Sequence, residues 1–274
     1  MGIIVPLDHI SHSQYSTYVK CPRSWYLGKL QQAEERQTWF LPIGTAVHQM
    51  IDHHLTDRDP ATPCAEDFFY PLIAEQMKID TDTSQWLAGG SKDEPVIEGR
   101  AIQRVKDCFE KALEVLDSVN VWEVEYDATG RLPGCEVPVK GFVDIIGEHK
   151  KHGPVILDWK TGSQKPKDNF QLETYAALLK GNSRFKHDGF WGLWAMLKPG
   201  APQARPVDLQ DVDSSDIGSK YQEVYDRMKS QIYATDPSRF KCDWCFQSLN
   251  CRLMAGDTDR AIYYDRADQD GFPF

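Results

Sequence analysis

An α/β fold, with a mixed central sheet flanked by helices, follows from three features of this sequence. Up to about Asn120 apolar residues recur at helical spacing, most clearly in EGRAIQRVKDCFEKALEVLDSV. At Val121 the period changes, and short runs with strand chemistry begin: VWEVEYDATG, CEVPVKGFVDIIG and PVILDWK. Beyond them a helix, a strand and a helix follow, the order of an α/β core behind a helical N-terminal region.

The elements can be justified one by one. SHSQYSTYVKCPRSWYLGKL opens with serines suited to capping a helix. GTAVHQMIDHHL follows Pro42 and Gly44 and sets Ala46, Met50 and Ile51 at helical spacing. Residues 79–95 are rich in Gly, Pro and Asp and read as a loop. Residues 137–146 and 154–160 form a hairpin that turns near Lys151, between His149 and Gly153. DNFQLETYAALLKG is a helix with Gly181 as its C-cap. GFWGLWAML is a further strand, and SSDIGSKYQEVYDRMKSQIYA the last long helix.

At 274 residues the chain can bury a core in one large domain or two small ones. Its formal net charge of −10 excludes coating nucleic acid by bulk charge, but allows a local basic channel. Acidic residues crowd at 208–216 and 257–270, whereas Lys and Arg gather at 20–29 and 160–186. No apolar run reaches the length of a membrane span, and MGIIVPLDHI lacks the basic and apolar regions of a secretory signal. A cytoplasmic protein with no membrane partner is expected, its seven cysteines reduced rather than paired.

The chemistry concentrates in VILDWKTG, residues 155–162. Alternation along a strand puts Ile156, Asp158 and Lys160 on one face and Trp159 on the other. With a turn near Lys151, Asp144 stands directly across from Asp158. Two opposed carboxylates repel one another, and a hard divalent cation such as Mg²⁺ or Mn²⁺ is the commonest remedy. The plain alternative is a pair of strand-end acids in water. On the following helix Gln171 and Tyr175 lie four apart and project from one face, suited to hold a phosphate oxygen or a base. Tyr175 could equally be a core aromatic with Leu172 and Leu179.

GFVDII, VILDWKTG and QLETYAALL together resemble the RecB-type branch of the PD-(D/E)xK nucleases, which carries G-x-x-D, D-x-K and Q-x-x-x-Y in this order. That branch also has an upstream helical histidine in a G-T-x-x-H context, matched by GTAVH and so by His48. The resemblance implies a restriction-endonuclease-like core that hydrolyses DNA phosphodiesters with one or two Mg²⁺ or Mn²⁺ ions. It implies metal ligands at His48, Asp144, Asp158 and the backbone carbonyl of Trp159, with Asp144, Asp158, Lys160, Gln171 and Tyr175 as catalytic residues. Such an ion activates water and neutralises charge on phosphate. Lys160 would orient the water or offset the developing charge, and a histidine among oxygen ligands tilts preference toward Mn²⁺.

CDWCFQSLNC places Cys242, Cys245 and Cys251 in a C-x₂-C-x₅-C trio, with Cys21 alone near the start. Three plus one fits a Cys₄ cluster site tying the chain ends together; zinc, which also accepts four thiolates, is the alternative. The resemblance favours a [4Fe–4S] cluster, because AddB-class and CRISPR-associated adaptation nucleases carry one on this pattern. Cys64, Cys108 and Cys135 lack ligand spacing, and Cys108 reads as a core thiol.

The chain is therefore expected to form a single nuclease domain over 1–274. Its parts are a helical N-terminal region at 12–120, the nuclease core at 121–236, an iron–sulfur segment at 237–256 and an acidic tail at 257–274. No G-x-x-x-x-G-K-[ST] accompanies it, so no nucleotide cofactor is expected. The expected substrate is single-stranded DNA or DNA ends, cut as an exonuclease, in recombination, repair, or phage or CRISPR DNA processing, with partner proteins. The setting is a prokaryotic or phage-infected cell. Lys20, Arg23, Lys165 and Lys167 are candidate phosphate contacts, and Trp25, Tyr26, Trp39 and Trp244 either stack bases or pack internally. The competing reading is a zinc-stapled or non-catalytic DNA-binding partner subunit. The remaining histidines, His9, His12, His53, His54, His149, His152 and His187, form no recognisable constellation.

Overall fold

Serine at a helix start and proline within it account for the first turns of the chain. The computed structural model describes residues 7–57, 63–87, 96–185, 187 and 189–251; the acidic tail and residues 88–95 of the expected loop lie outside them. A short strand, β1 (Ile10–Ser11), leads into α1 (His12–Lys20), where the Ser11 hydroxyl accepts from the Gln14 N–H at 3.2 Å. The helix breaks at Cys21, which is extended (φ −164°, ψ 106°) because Pro22 disfavours helical geometry in the residue before it. Pro22 then opens α2 (Pro22–Trp25), followed by a single π-helical turn, Tyr26–Leu30. The helical segment is thus three pieces.

Next come α3 (Phe40–Thr56), α4 (Ala65–Met77) and α5 (Glu98–Leu116). The α3 helix starts earlier than Gly44: Thr38 Oγ1 accepts from the Leu41 N–H at 3.1 Å, and Pro42 is tolerated in the first turn. Along α5, Ala101, Val105, Cys108, Phe109 and Ala112 form the buried stripe, and burial pushes the Cys108 thiol up to about 11.

The strands are β2 (Val119–Asp127), β3 (Val139–Lys140), β4 (Phe142–His149), β5 (Gly153–Lys160), β6 (Trp191–Met196) and β7 (Val207–Asp208). The helix α6 (Phe170–Leu179) lies between β5 and β6; α7 (Ser214–Lys229) and the short α8 (Arg239–Asp243) close the described chain. Gly181, at φ +77°, follows α6 as its expected terminator.

The chain divides into two compact units. One, 37–128 with 141–213, contains a five-stranded sheet in the order β2-β4-β5-β6-β7. Its β4 is antiparallel to β2 and β5, whereas β5 and β6 are parallel, giving the expected mixed sheet. Val155, Leu157 and Trp159 pack with α3, α4 and α5 on one face. Ile156, Trp194 and Met196 pack with Leu172, Tyr175 and Leu179 of α6 on the other. Strand alternation thus separates two apolar layers.

The other unit, 1–36 with 129–140 and 214–274, pairs β1 with β3 in parallel. Here α7 carries Gln222 and Lys229, which bind Glu136. The segment near the end of the chain returns to the beginning: Arg36 N–H donates to the Phe246 carbonyl at 2.8 Å, and Asn250 Nδ2 to the Glu34 carbonyl at 2.6 Å.

Candidate active site and metal centre

Strand register brings three carboxylates into a row. The β4–β5 ladder pairs Ile145 with Leu157 and Ile146 with Ile156, so its next step sets Asp144 opposite Asp158, as the hairpin reading expects. The β2–β4 ladder pairs Val124 with Ile145 and Tyr126 with Val143, which sets Glu125 opposite Asp144 on its other side. Three acids on neighbouring strands repel one another.

Each member of the row is held in place. Asp144 Oδ2 accepts the Trp159 N–H at 2.7 Å, which turns Oδ1 toward α3. There His48 Nδ1 lies 3.4 Å from Asp144 Oδ1 and 3.7 Å from Glu125 Oε1. Gly44, one turn before His48, sits against Thr161, the residue after β5, so the helix passes the strand end at close range. Burial of the His48 ring opposes its charged form, but hydrogen bonding to Asp144 and Glu125 and the charge of Asp158 outweigh it and push it up to about 10.

Asp158 is 2 % exposed. Burial first, and the Asp144 charge second, hold its carboxyl well above the usual carboxylate range, against the pull of Lys160. Lys160 Nζ is 2.6 Å from Asp158 Oδ2 in an ion pair that is close without being a well-directed hydrogen bond. The same ammonium donates to Gln171 Oε1 at 3.1 Å, and Gln171 Nε2 donates to Tyr175 Oη at 2.8 Å. Asp158, Lys160, Gln171 and Tyr175 therefore form one continuous polar chain. The G-x-x-D glycine contributes to it: a Cβ on Gly141 would lie 3.2 Å from Tyr175 Cε1 and 3.1 Å from Leu178 Cδ1, so its absence leaves room for the ring.

Glu125 escapes the sequence reading. In VWEVEYD it is one of three acids on what looks like a solvent face. Two backbone features bring it into the site. The ladder shifts register between Val121 and Glu123, and Glu125 itself adopts φ +46°, a left-handed conformation costing a glutamate roughly 1–2 kcal/mol. Only the acid count in that strand hints at it.

The other expected contacts fare differently. Lys165 and Lys167 are exposed in the segment between β5 and α6, and Lys20 is exposed on α1. Arg23, expected on the surface, is 5 % exposed with its guanidinium 5.0 Å above the Tyr26 ring, so it belongs to the packing of its unit and not to a phosphate-facing surface. Trp25 and Tyr26 pack on Tyr233, and Trp39 on Trp86, which makes these aromatics interior; Trp244 stays exposed.

The cysteines form no disulfide. Cys21 stands between α1 and α2, and Ser24, one turn on, receives the Cys245 thiol at 3.7 Å. Among the described residues no three cysteine sulfurs converge within 4.8 Å of one another. Four thiolates on one zinc, with bonds of about 2.3 Å, would stand roughly 3.8 Å apart. No such group of cysteine sulfurs is found among the described residues.

The acid row fits a cation. Nδ1 of His48 and one oxygen each of Glu125 and Asp144 lie within 4.8 Å of one another. An ion bonded at about 2.1 Å spaces its ligands roughly 3 Å apart at right angles and about 4 Å when nearly opposite, which brackets the distances from His48. Hard oxygens with one imidazole suit Mg²⁺ or Mn²⁺.

Comparison with known proteins places the chain in a family. A family model for the PD-(D/E)XK nuclease superfamily matches residues 9–252. The Gene 69 protein of Mycobacterium phage D29 is 24 % identical over 288 residues, covering 92 % of this chain and 98 % of that protein. Its counterpart in Mycobacterium phage L5 is 23 % identical over 299 residues, with the same coverage. Among solved structures, a candidate exonuclease of Eubacterium rectale matches 94 % of each chain at 13 % identity, with a TM-score of 0.48. Nucleases of the matched superfamily use divalent metal ions. Spanning both the acid row and the Lys160 chain, the match means that this protein belongs to the PD-(D/E)XK nuclease superfamily.

Proposed function

We propose that the protein is an Mn²⁺- or Mg²⁺-dependent deoxyribonuclease that shortens single-stranded DNA from an end. The observation that carries the reading is the acid row beside a lysine tied to α6 through Gln171: Asp144 and Glu125 on His48, and Asp158 on Lys160. His48, Glu125, Asp144, Asp158 and the Trp159 carbonyl are proposed to hold the ion. When bound, the ion supplies Lewis acidity toward a phosphate oxygen and lowers the pKa of water. Lys160, an ammonium at the edge of this group, orients the attacking water or offsets charge on the phosphate. Gln171 fixes Lys160 from the far side, and together with Tyr175 it positions the strand to be cut. Lys165 and Lys167, close in sequence to Lys160, are proposed phosphate contacts, and Lys20 a further one.

The end-directed, single-strand preference comes from the likeness to RecB-type nucleases, as does a structural [4Fe–4S] cluster on Cys21, Cys242, Cys245 and Cys251. For the cluster, the return of the 245–250 segment to Ser24, Glu34 and Arg36 is the supporting feature. A four-iron cluster also spreads its thiolates more widely than one zinc ion does. Both units, 1–274, are taken to act as one nuclease in the cytoplasm of a prokaryotic or phage-infected cell, in DNA recombination, repair or processing.

Oxygen-free purification, a visible spectrum, and an assay of the same sample on end-labelled single-stranded DNA test this reading. Broad absorbance near 400 nm with Mn²⁺-dependent shortening of the strand is expected. Cleavage that proceeds undiminished in excess chelator would overturn the metal assignment. A colourless protein that binds DNA without cutting it would leave a binding module.

A further inference from the structure

Trp194 takes no part in the reading above, yet Lys160 rests on it. Strands β5 and β6 are parallel and in register, Asp158 beside Trp194 and Lys160 beside Met196, so these side chains leave the sheet on the α6 side. Trp194 is 2 % exposed. The Lys160 ammonium lies over its indole, 5.0 Å from the ring centroid. The indole N–H donates to Asn169 Oδ1 at 3.0 Å, and Asn169 is the residue before α6. Three groups therefore surround Nζ: the Asp158 carboxylate at 2.6 Å, the Gln171 amide oxygen at 3.1 Å and the Trp194 face.

Their roles differ physically. A lysine stem is flexible, and the Asp158 carboxylate alone would draw the ammonium onto itself. The amide oxygen of Gln171 pulls toward α6. An aromatic face attracts a cation from a third direction, and attracts a neutral amine far less. It also excludes water from one side of the ammonium. With its N–H tied to Asn169, the indole cannot rotate away from the lysine.

Resting on the reading that Lys160 acts at the scissile phosphate, we propose that Trp194, anchored by Asn169, is a positioning residue for that lysine. It sets where the charged end stands between the metal ligands and α6, and does so without touching the substrate.

The test combines a spectroscopic and a kinetic readout. In metal-free protein carrying ¹³C-labelled lysine, the Lys160 ε-methylene, assigned through Lys160→Ala, should resonate upfield because of the indole ring current. Trp194→Leu should abolish that shift and Trp194→Phe keep part of it. In Mn²⁺-dependent cleavage, Trp194→Leu should lower kcat about tenfold, between the sizes of an exposed and a fully desolvated cation–π contact, with KM and DNA affinity unchanged. Trp194→Phe should recover most of the loss. If Trp194→Leu does not fold, Asn169→Ala decides: it should move the Lys160 signal and lower kcat severalfold at constant KM. An unshifted Lys160 signal in the native protein, a folded Trp194→Leu with native kcat, or an Asn169→Ala variant unchanged in both readouts would each overturn the proposal. Full cleavage by Lys160→Ala would instead overturn the role of Lys160, leaving the ring-current result to stand separately.

Discussion

The acid row and the cysteine set make an instructive pair, because both were approached through spacing and only one was converted by it into distance. Asp144 and Asp158 lie fourteen positions apart, yet a hairpin with a defined turn makes them neighbours, as the ladder ending at Ile145 and Leu157 demonstrates. Regular pairing turns sequence arithmetic into geometry. Cys21 and Cys242 share no ladder or helix face. Their separation depends on how the 245–250 segment returns to Ser24 and Arg36, through individual side-chain and loop contacts. Spacing there suggests a metal and says little about where its ligands stand.

The largest effect should come from breaking the row itself. Asp158→Asn should reduce Mn²⁺-dependent cleavage on the order of 10³-fold, measured on end-labelled DNA. Because burial and Asp144 already disfavour the charged carboxyl, the same variant should melt no lower than the native protein at neutral pH without metal. Mn²⁺ is expected to raise the Tm of the native protein, and the variant should lose that rise. A native-like rise in the variant would remove Asp158 from the ligand set.

The cysteine side is tested next. Alanine at Cys21, Cys242, Cys245 or Cys251 should abolish the absorbance and bound iron of oxygen-free protein, whereas alanine at Cys64, Cys108 or Cys135 should leave both intact. Iron retained by Cys21→Ala would break the three-plus-one pattern at its weakest link.

Glu125 probes the boundary between the two cases, since its place is set by backbone and not by alternation. Glu125→Asn, which tolerates φ +46° better and removes one repelling charge, should raise metal-free stability by about 1 kcal/mol while lowering cleavage about tenfold. Denaturant unfolding and the cleavage assay check the two halves, and a loss of stability would show that the Glu125 contact with His48 outweighs the strain and repulsion relieved.

The mildest variant is Gly141→Ala, whose new methyl would crowd Leu178 and the Tyr175 ring by a few tenths of an ångström. Cleavage should fall severalfold with stability reduced by about 1 kcal/mol, as shown by kinetics and thermal melting.

Much of this molecule is legible in its sequence. Helical period located α5 with its Cys108 stripe, and the serine before α1 located that helix start. Alternation separated Trp159 from Asp158 and Lys160. Gln171 and Tyr175 were paired by helix geometry, and their hydrogen bond follows it. These are local rules, in which neighbours along the chain settle direction.

What lay beyond the sequence is whatever long-range packing decides. The break at Cys21 was encoded in Pro22, but the burial of Arg23 and Trp25 beyond it depends on Tyr18, Tyr26 and Tyr233. His48 could be assigned to the acids only by resemblance, because its approach depends on how α3 passes the end of β5 at Gly44 and Thr161. Glu125 needed a register shift and a left-handed residue, and Trp194 needed the parallel register of β5 and β6. By itself, the sequence determined the elements and the faces they present, since those follow from bonds and side-chain period. The tertiary structure decided which of those faces meet, because that depends on packing between segments far apart in the chain.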